Sequence, residues 1–172
     1  MFLLDYVSPD KALGEIEEIY NLFPEEMGPP KPLQLMSSSP GFLHCQLDIM
    51  KYFSNHQKLS FILLTAIRYL AANEFDHKSC IDFNQLILLA SGATEQEVET
   101  VKSDPDKAPL DEHERAMLKF VMKVIRTPEA VKKDDVKTLH NLGWKDSEIL
   151  DAAAHGTFMC GHATLMKAFS DK

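Results

Sequence analysis

The chain has 172 residues, 45% hydrophobic and 26% charged, a balance that fits one folded globular domain and not a disordered chain. Its 26 acidic against 18 basic residues leave a net charge of −8, which argues against nucleic acid or an anionic membrane as a partner. Apolar runs such as Phe61-Ile62-Leu63-Leu64 are far too short for a bilayer, and the first residues lack the basic region of a signal peptide, so a cytoplasmic protein is expected.

In chain order, Ser8-Pro9-Asp10 has the cap and proline of a helix start, and Leu13, Ile16, Ile19, Tyr20 and Phe23 follow at helical spacing. A proline-rich connection over 24–32 leads to a short helix after Pro32, which stops at Ser37-Ser38-Ser39. Pro40 opens a third helix through Phe42, Cys45, Ile49 and Phe53. Leu59 to Ala72 is apolar on almost every face, the mark of a helix buried on all sides. The next helix starts near Asp76 and stops at Ser91-Gly92. Thr94 and Glu97 form a capping box, and Asp104-Pro105 breaks that helix. Asp111 begins a long amphipathic helix ended by Thr127-Pro128. A shorter helix ends at Gly143, and a last one runs from about Asp146 to Ser170.

No segment alternates with a period of two, so the expected fold is an all-α bundle of about eight helices in a single domain over 1–172. A weak repeat at an offset of 51 residues sets Leu59-Ser60 against Leu110-Asp111, Gly92 against Gly143, and Glu97-Val98 against Glu148-Ile149. Each unit reads as a long helix, a shorter one, a glycine stop and a new helix.

The three cysteines, Cys45, Cys80 and Cys160, read as free thiols in a reducing compartment. Cys80 has the most suggestive setting. With Asp76 as N-cap, His77, Lys78 and Ser79 fill the first helical positions, and Cys80 falls in the first turn. Unpaired amides there favour a thiolate. His77 lies three positions before Cys80, on the same face, where an imidazole could take the thiol proton. Asn84 is one turn further along and could orient a neighbour by hydrogen bonding.

In the last helix Asp151 and His155 are spaced as a polar pair, and His155 and His162 share a face two turns apart, about 10 Å along the axis. That separation does not suit one metal ion, and no metal or other cofactor is expected. Arg68, on the apolar helix, must find a partner or a path to solvent.

These residues carry a family resemblance. The stretch 40–101 resembles the carboxymuconolactone decarboxylase family, in its alkylhydroperoxidase D-like branch, and 110–170 is compatible with a second helical unit of its larger members. The family pattern is a buried helix beginning near Leu-Ser, a C-x-x-C-x-x-x-H motif opening the next helix, and a Gly-x-[ST]-x-x-E turn. Here it reads Leu59-Ser60, then His77, Cys80 and Asn84, then Gly92, Thr94 and Glu97.

The chain departs from the pattern at three places. His77 stands for the first cysteine, Asn84 for the histidine, and Thr65 for a glutamate of the preceding helix. The resemblance implies an all-α protein assembling as a trimer or hexamer. It also implies a thiol-dependent, antioxidant peroxidase acting through Cys80 with His77 and Asn84, on a small peroxide and with a thiol reductant. Cys45 or Cys160 would serve as resolving thiol only within disulfide reach of Cys80. The alternative is a catalytically inactive oligomeric member that binds a small apolar ligand. Lactone decarboxylation by His77 or His155 is a third reading.

Overall fold

The computed structural model describes residues 1–171. Among them are nine α-helices, three single 3₁₀ turns and no strand beyond one isolated bridge, Phe2 to Ser170. The expected all-α class holds. The helices are α1 (Glu15–Tyr20), α2 (Lys31–Met36), α3 (Pro40–Ser54), α4 (Phe61–Glu74), α5 (Lys78–Ala90), α6 (Glu95–Ser103), α7 (Glu112–Arg126), α8 (Lys133–Asn141) and α9 (Asp146–Phe169). None of the described helices is long and apolar enough to cross a membrane.

The chain divides into two compact units. One comprises Met1–Asn55 with the end of the chain from Thr164. Its core gathers Ala12, Ile19, Tyr20, Leu33, Met36, Leu43 and Leu47. The Ser37 hydroxyl accepts from the Val7 amide at 2.8 Å, and the Tyr20 hydroxyl donates to the Val7 carbonyl at 2.8 Å. The predicted first helix is broken here. Pro9–Lys11 forms only a 3₁₀ turn, with no side-chain cap from Ser8. Gly14 then takes φ 59°, a conformation that suits glycine and ends helical propagation, so α1 starts at Glu15. Leu13, expected on the apolar face, is exposed.

The other unit, His56–Ala163, is built around α4. Leu63, Leu64, Ala66, Ile67, Tyr69, Leu70, Ala71 and Ala72 of that helix are all buried, and α4 packs against α5 and α7. Ser60 caps it by accepting from the Leu63 amide at 3.0 Å. The turn before it is held by His56, whose Nδ1 accepts from the Leu59 amide at 2.9 Å while Nε2 faces Asp151 at 3.2 Å.

The repeat at 51 residues is geometric as well as sequential. Ser60 and Asp111 cap α4 and α7 through their side chains. Gly92 and Gly143 take φ 100° and 96°, and the amides of Ala93 and Trp144 each return to the helix carbonyl five residues back, both at 3.1 Å, closing two Schellman turns. Glu97 and Glu148 then accept from the amides of Thr94 and Lys145, each at 2.8 Å.

Candidate functional site

α4 carries Thr65 and Arg68 on successive turns of one face, and α5 presents Cys80 and Asn84 to it. The link between the helices sets the register. Asp76 adopts φ 49°, a left-handed conformation open to aspartate at modest cost. This places His77, and not Asp76, at the N-cap of α5: its Nδ1 accepts from the Cys80 amide at 3.3 Å. The sequence missed this because a histidine cap depends on the backbone turn before it.

Cys80 lies in the first turn, as expected, but is only 6% exposed. Burial pushes its thiol up to about 11, and the opposing pull of the nearby Arg68 charge is smaller. The expected acidified thiol is thus not what burial allows, because desolvation disfavours the thiolate more than the guanidinium favours it.

Arg68 ties the site together. Its Nε donates to Asn84 Oδ1 at 2.8 Å, Nη2 to Thr65 Oγ1 at 2.8 Å, and Nη1 to His155 Nε2 at 3.1 Å. Asn84, 1% exposed, also donates from Nδ2 to the Cys80 carbonyl at 2.8 Å. Thr65 hands its own proton to the Phe61 carbonyl at 2.7 Å, so its oxygen is oriented to accept from Arg68. Thr65 of α4 therefore meets His77, Cys80 and Asn84 from the start of α5 at one place. The guanidinium was not singled out as its centre, although a cation on an otherwise apolar helix was the available signal.

α9 closes the site. A Cβ built on Gly156 would lie 2.7 Å from Val121 Cγ1 and 3.2 Å from Ile67 Cγ2, so α9 meets α4 and α7 at a distance that only glycine permits. This approach delivers His155 to Arg68. An arginine only donates, so His155 accepts on Nε2 and keeps its proton on Nδ1. Burial first, and then the Arg68 charge, holds this imidazole down at about 3, neutral at physiological pH.

One turn on, Met159 packs with Cys80, Ala71 and Ala72, and Cys160 lies against the same cluster. His162 is lowered by burial and by the charge of His77. Asp151, expected beside His155, faces His56 Nε2 at 3.2 Å.

Cys160 Sγ donates to the Gly156 carbonyl at 3.3 Å, and burial raises its thiol as well. Cys45 is exposed in the other unit. Among the described residues no group of three or more His, Cys, Asp or Glu is arranged to hold a metal ion.

No protein-family model matches the chain, and no curated protein does. Solved structures do. An uncharacterized peroxidase-related protein from Silicibacter sp. TM1040 superposes with a TM-score of 0.81 at 19% identity, over 97% of this chain and 88% of its own. The alkylhydroperoxidase AhpD core of a peroxidase-related protein from Ralstonia eutropha JMP134 gives 0.64 at 19% identity, over 79% and 72%. A protein of unknown function from Agrobacterium tumefaciens, proposed to be the antioxidant defence protein AhpD, gives 0.62 at 21%, over 80% and 94%. At these identities the likeness is one of architecture, and the chain has the all-helical alkylhydroperoxidase D-like fold.

Proposed function

We propose that the protein is a member of the alkylhydroperoxidase D-like branch and reduces small hydroperoxides through Cys80. The observation that carries this reading is the Arg68 guanidinium in the electrostatic field of Cys80, with no carboxylate among its hydrogen-bond partners. A Cys80 thiolate is an anion that could balance this charge. The thiolate attacks one peroxide oxygen. An S–O bond forms, the O–O bond breaks, and the departing alkoxide takes a proton to leave as an alcohol. Cys80 is oxidised to a sulfenic acid. A second thiol then displaces water to form a disulfide, and an external dithiol reduces it. Cys160, packed on the same cluster, is the internal candidate for that second thiol.

His77 takes a positioning role in this reading, since its Nδ1 is committed to the Cys80 amide. Asn84 holds Arg68 and the Cys80 carbonyl and cannot move protons. Activity should therefore be slow at neutral pH and climb as the pH rises from 9 towards 11. Cys80→Ser should abolish consumption of tert-butyl hydroperoxide in the presence of dithiothreitol; unchanged consumption would overturn the proposal.

A trimer or hexamer in the cytoplasm belongs to the same reading. Its support is α9, which runs without a charged residue from Ala152 to Met166 and exposes Leu150 and Phe158. Sedimentation showing only monomers at micromolar concentration would count against assembly. The raised Cys80 thiol favours a second reading, an inactive member that binds a small apolar ligand. It is distinguished by the absence of peroxide turnover at any pH, including where Cys80 is ionised.

A further inference from the structure

Arg68 is a cation in an environment that provides no counter-charge. Its partners are an amide oxygen, a hydroxyl and a neutral imidazole, and no Asp or Glu among the described residues forms an ion pair with it. Elsewhere the chain pairs such charges: Arg126 bonds Glu74 through both Nε and Nη2, and Lys123 bonds Asp135 at 2.7 Å. Burial lowers Arg68 only to about 10, so it stays protonated at pH 7, where Cys80 is a neutral thiol. The site then carries one net positive charge in a partly desolvated place, which is costly unless an anion balances it.

A guanidinium has five N–H donors, and the three bonds leave one N–H on each terminal nitrogen without an acceptor among the described residues. Arg68 also keeps part of its surface open to solvent, so a ligand can reach it. Apolar side chains pack around Cys80, one turn before Asn84 on α5: Met159, Ile81 and Ile125.

From this geometry we infer that Arg68 binds the carboxylate of a small organic acid with an apolar body. Two remaining N–H groups suit the two oxygens of a carboxylate. One positive charge balances one negative charge, whereas a phosphate dianion would be left with an unpaired charge. Thr65, Asn84 and His155 set the plane of the guanidinium and so the direction in which it presents those donors. The inference does not depend on peroxide chemistry, and it links to Cys80 through charge. A bound carboxylate neutralises the cation that favours the thiolate, so ligand and thiolate compete for Arg68.

The test uses benzoate, with its neutral analogue benzamide as control, on the full chain at pH 7 and low salt. Benzoate at ten times its dissociation constant should raise the melting temperature by about 4 °C, and benzamide should not. Arg68→Met should lose the shift, and Arg68→Lys should keep part of it. In the wild-type protein, benzoate should also slow iodoacetamide labelling of Cys80 at pH 9, read on the Cys80 peptide by mass spectrometry, by about tenfold.

Equal shifts with benzoate and benzamide, or a benzoate shift retained in Arg68→Met, would overturn the inference. Should Arg68→Met fail to fold, the wild-type labelling decides: equal rates with benzoate and benzamide overturn it. Loss of peroxidase activity in Cys80→Ser leaves this result untouched, so the two readings fail separately.

Discussion

The hairpins α4–α5 and α7–α8 have the same ends and opposite interiors. Each opens on a capped long helix, closes on a left-handed glycine, and hands over to a helix begun by a glutamate that bonds back to the preceding backbone. At the 51-residue offset Arg68 corresponds to Lys119 and Asn84 to Asp135. In the second hairpin the charges are surface pairs: Lys119 with Asp106 at 2.8 Å and Lys123 with Asp135 at 2.7 Å. In the first hairpin the carboxylate is replaced by the amide of Asn84, and Arg68 is left with neutral acceptors. The repeated part of the sequence thus specifies a scaffold. The unrepeated part, a half-buried cation with neutral acceptors beside a thiol, is where chemistry can reside.

The largest effect that would test this contrast is a pH effect. His155 is held at about 3 in the folded chain, against an ordinary value near 6.5. Because its folded value is depressed, its stabilising contribution is complete above about 6.5 and is lost as the pH falls towards 3, by about 4–5 kcal/mol. Denaturant unfolding from pH 7 to pH 3 should show a clearly shallower loss in His155→Gln than in wild type. Parallel curves would mean that the imidazole is not buried beside Arg68.

The shared scaffold predicts a smaller, matched pair. Gly92→Ala and Gly143→Ala should each cost about 1–2 kcal/mol, because both positions need the same left-handed backbone. Melting temperatures that fall unequally would show that the two turns are not equivalent.

Giving the first hairpin the second one's carboxylate should sharpen the difference. Asn84→Asp supplies Arg68 with an internal anion, so Cys80 labelling should slow by about tenfold and the benzoate response should vanish. The smallest effect is expected at Lys119, the surface counterpart of Arg68. Lys119→Met should leave Cys80 labelling unchanged, and any change there would argue against a charge effect confined to the buried site.

The sequence made local structure legible and tertiary chemistry obscure. Ser60, Thr94, Asp111, Gly92 and Gly143 were readable because caps and glycine stops are set by a few neighbouring residues. Helical spacing alone put Cys80 and Asn84 on one face, and only the resemblance drew attention to Thr65. His77 as a cap depended on the unusual backbone of Asp76. Arg68 meets His155, and Asp151 meets His56, across more than 80 residues of chain, and no spacing rule reaches that far. The direction of the Cys80 shift also depended on burial, which the helix-start argument leaves out.

The central claim is that Arg68 and Cys80 face each other as a cation and a buried neutral thiol. It is tested most directly by the pH dependence of iodoacetamide labelling at Cys80, read on its own peptide in wild type and in Arg68→Met. Labelling should show a midpoint near 11 in wild type and a still higher one in the variant, which lacks the favouring charge. A wild-type midpoint at or below the ordinary thiol range, unmoved by Arg68→Met, would contradict it.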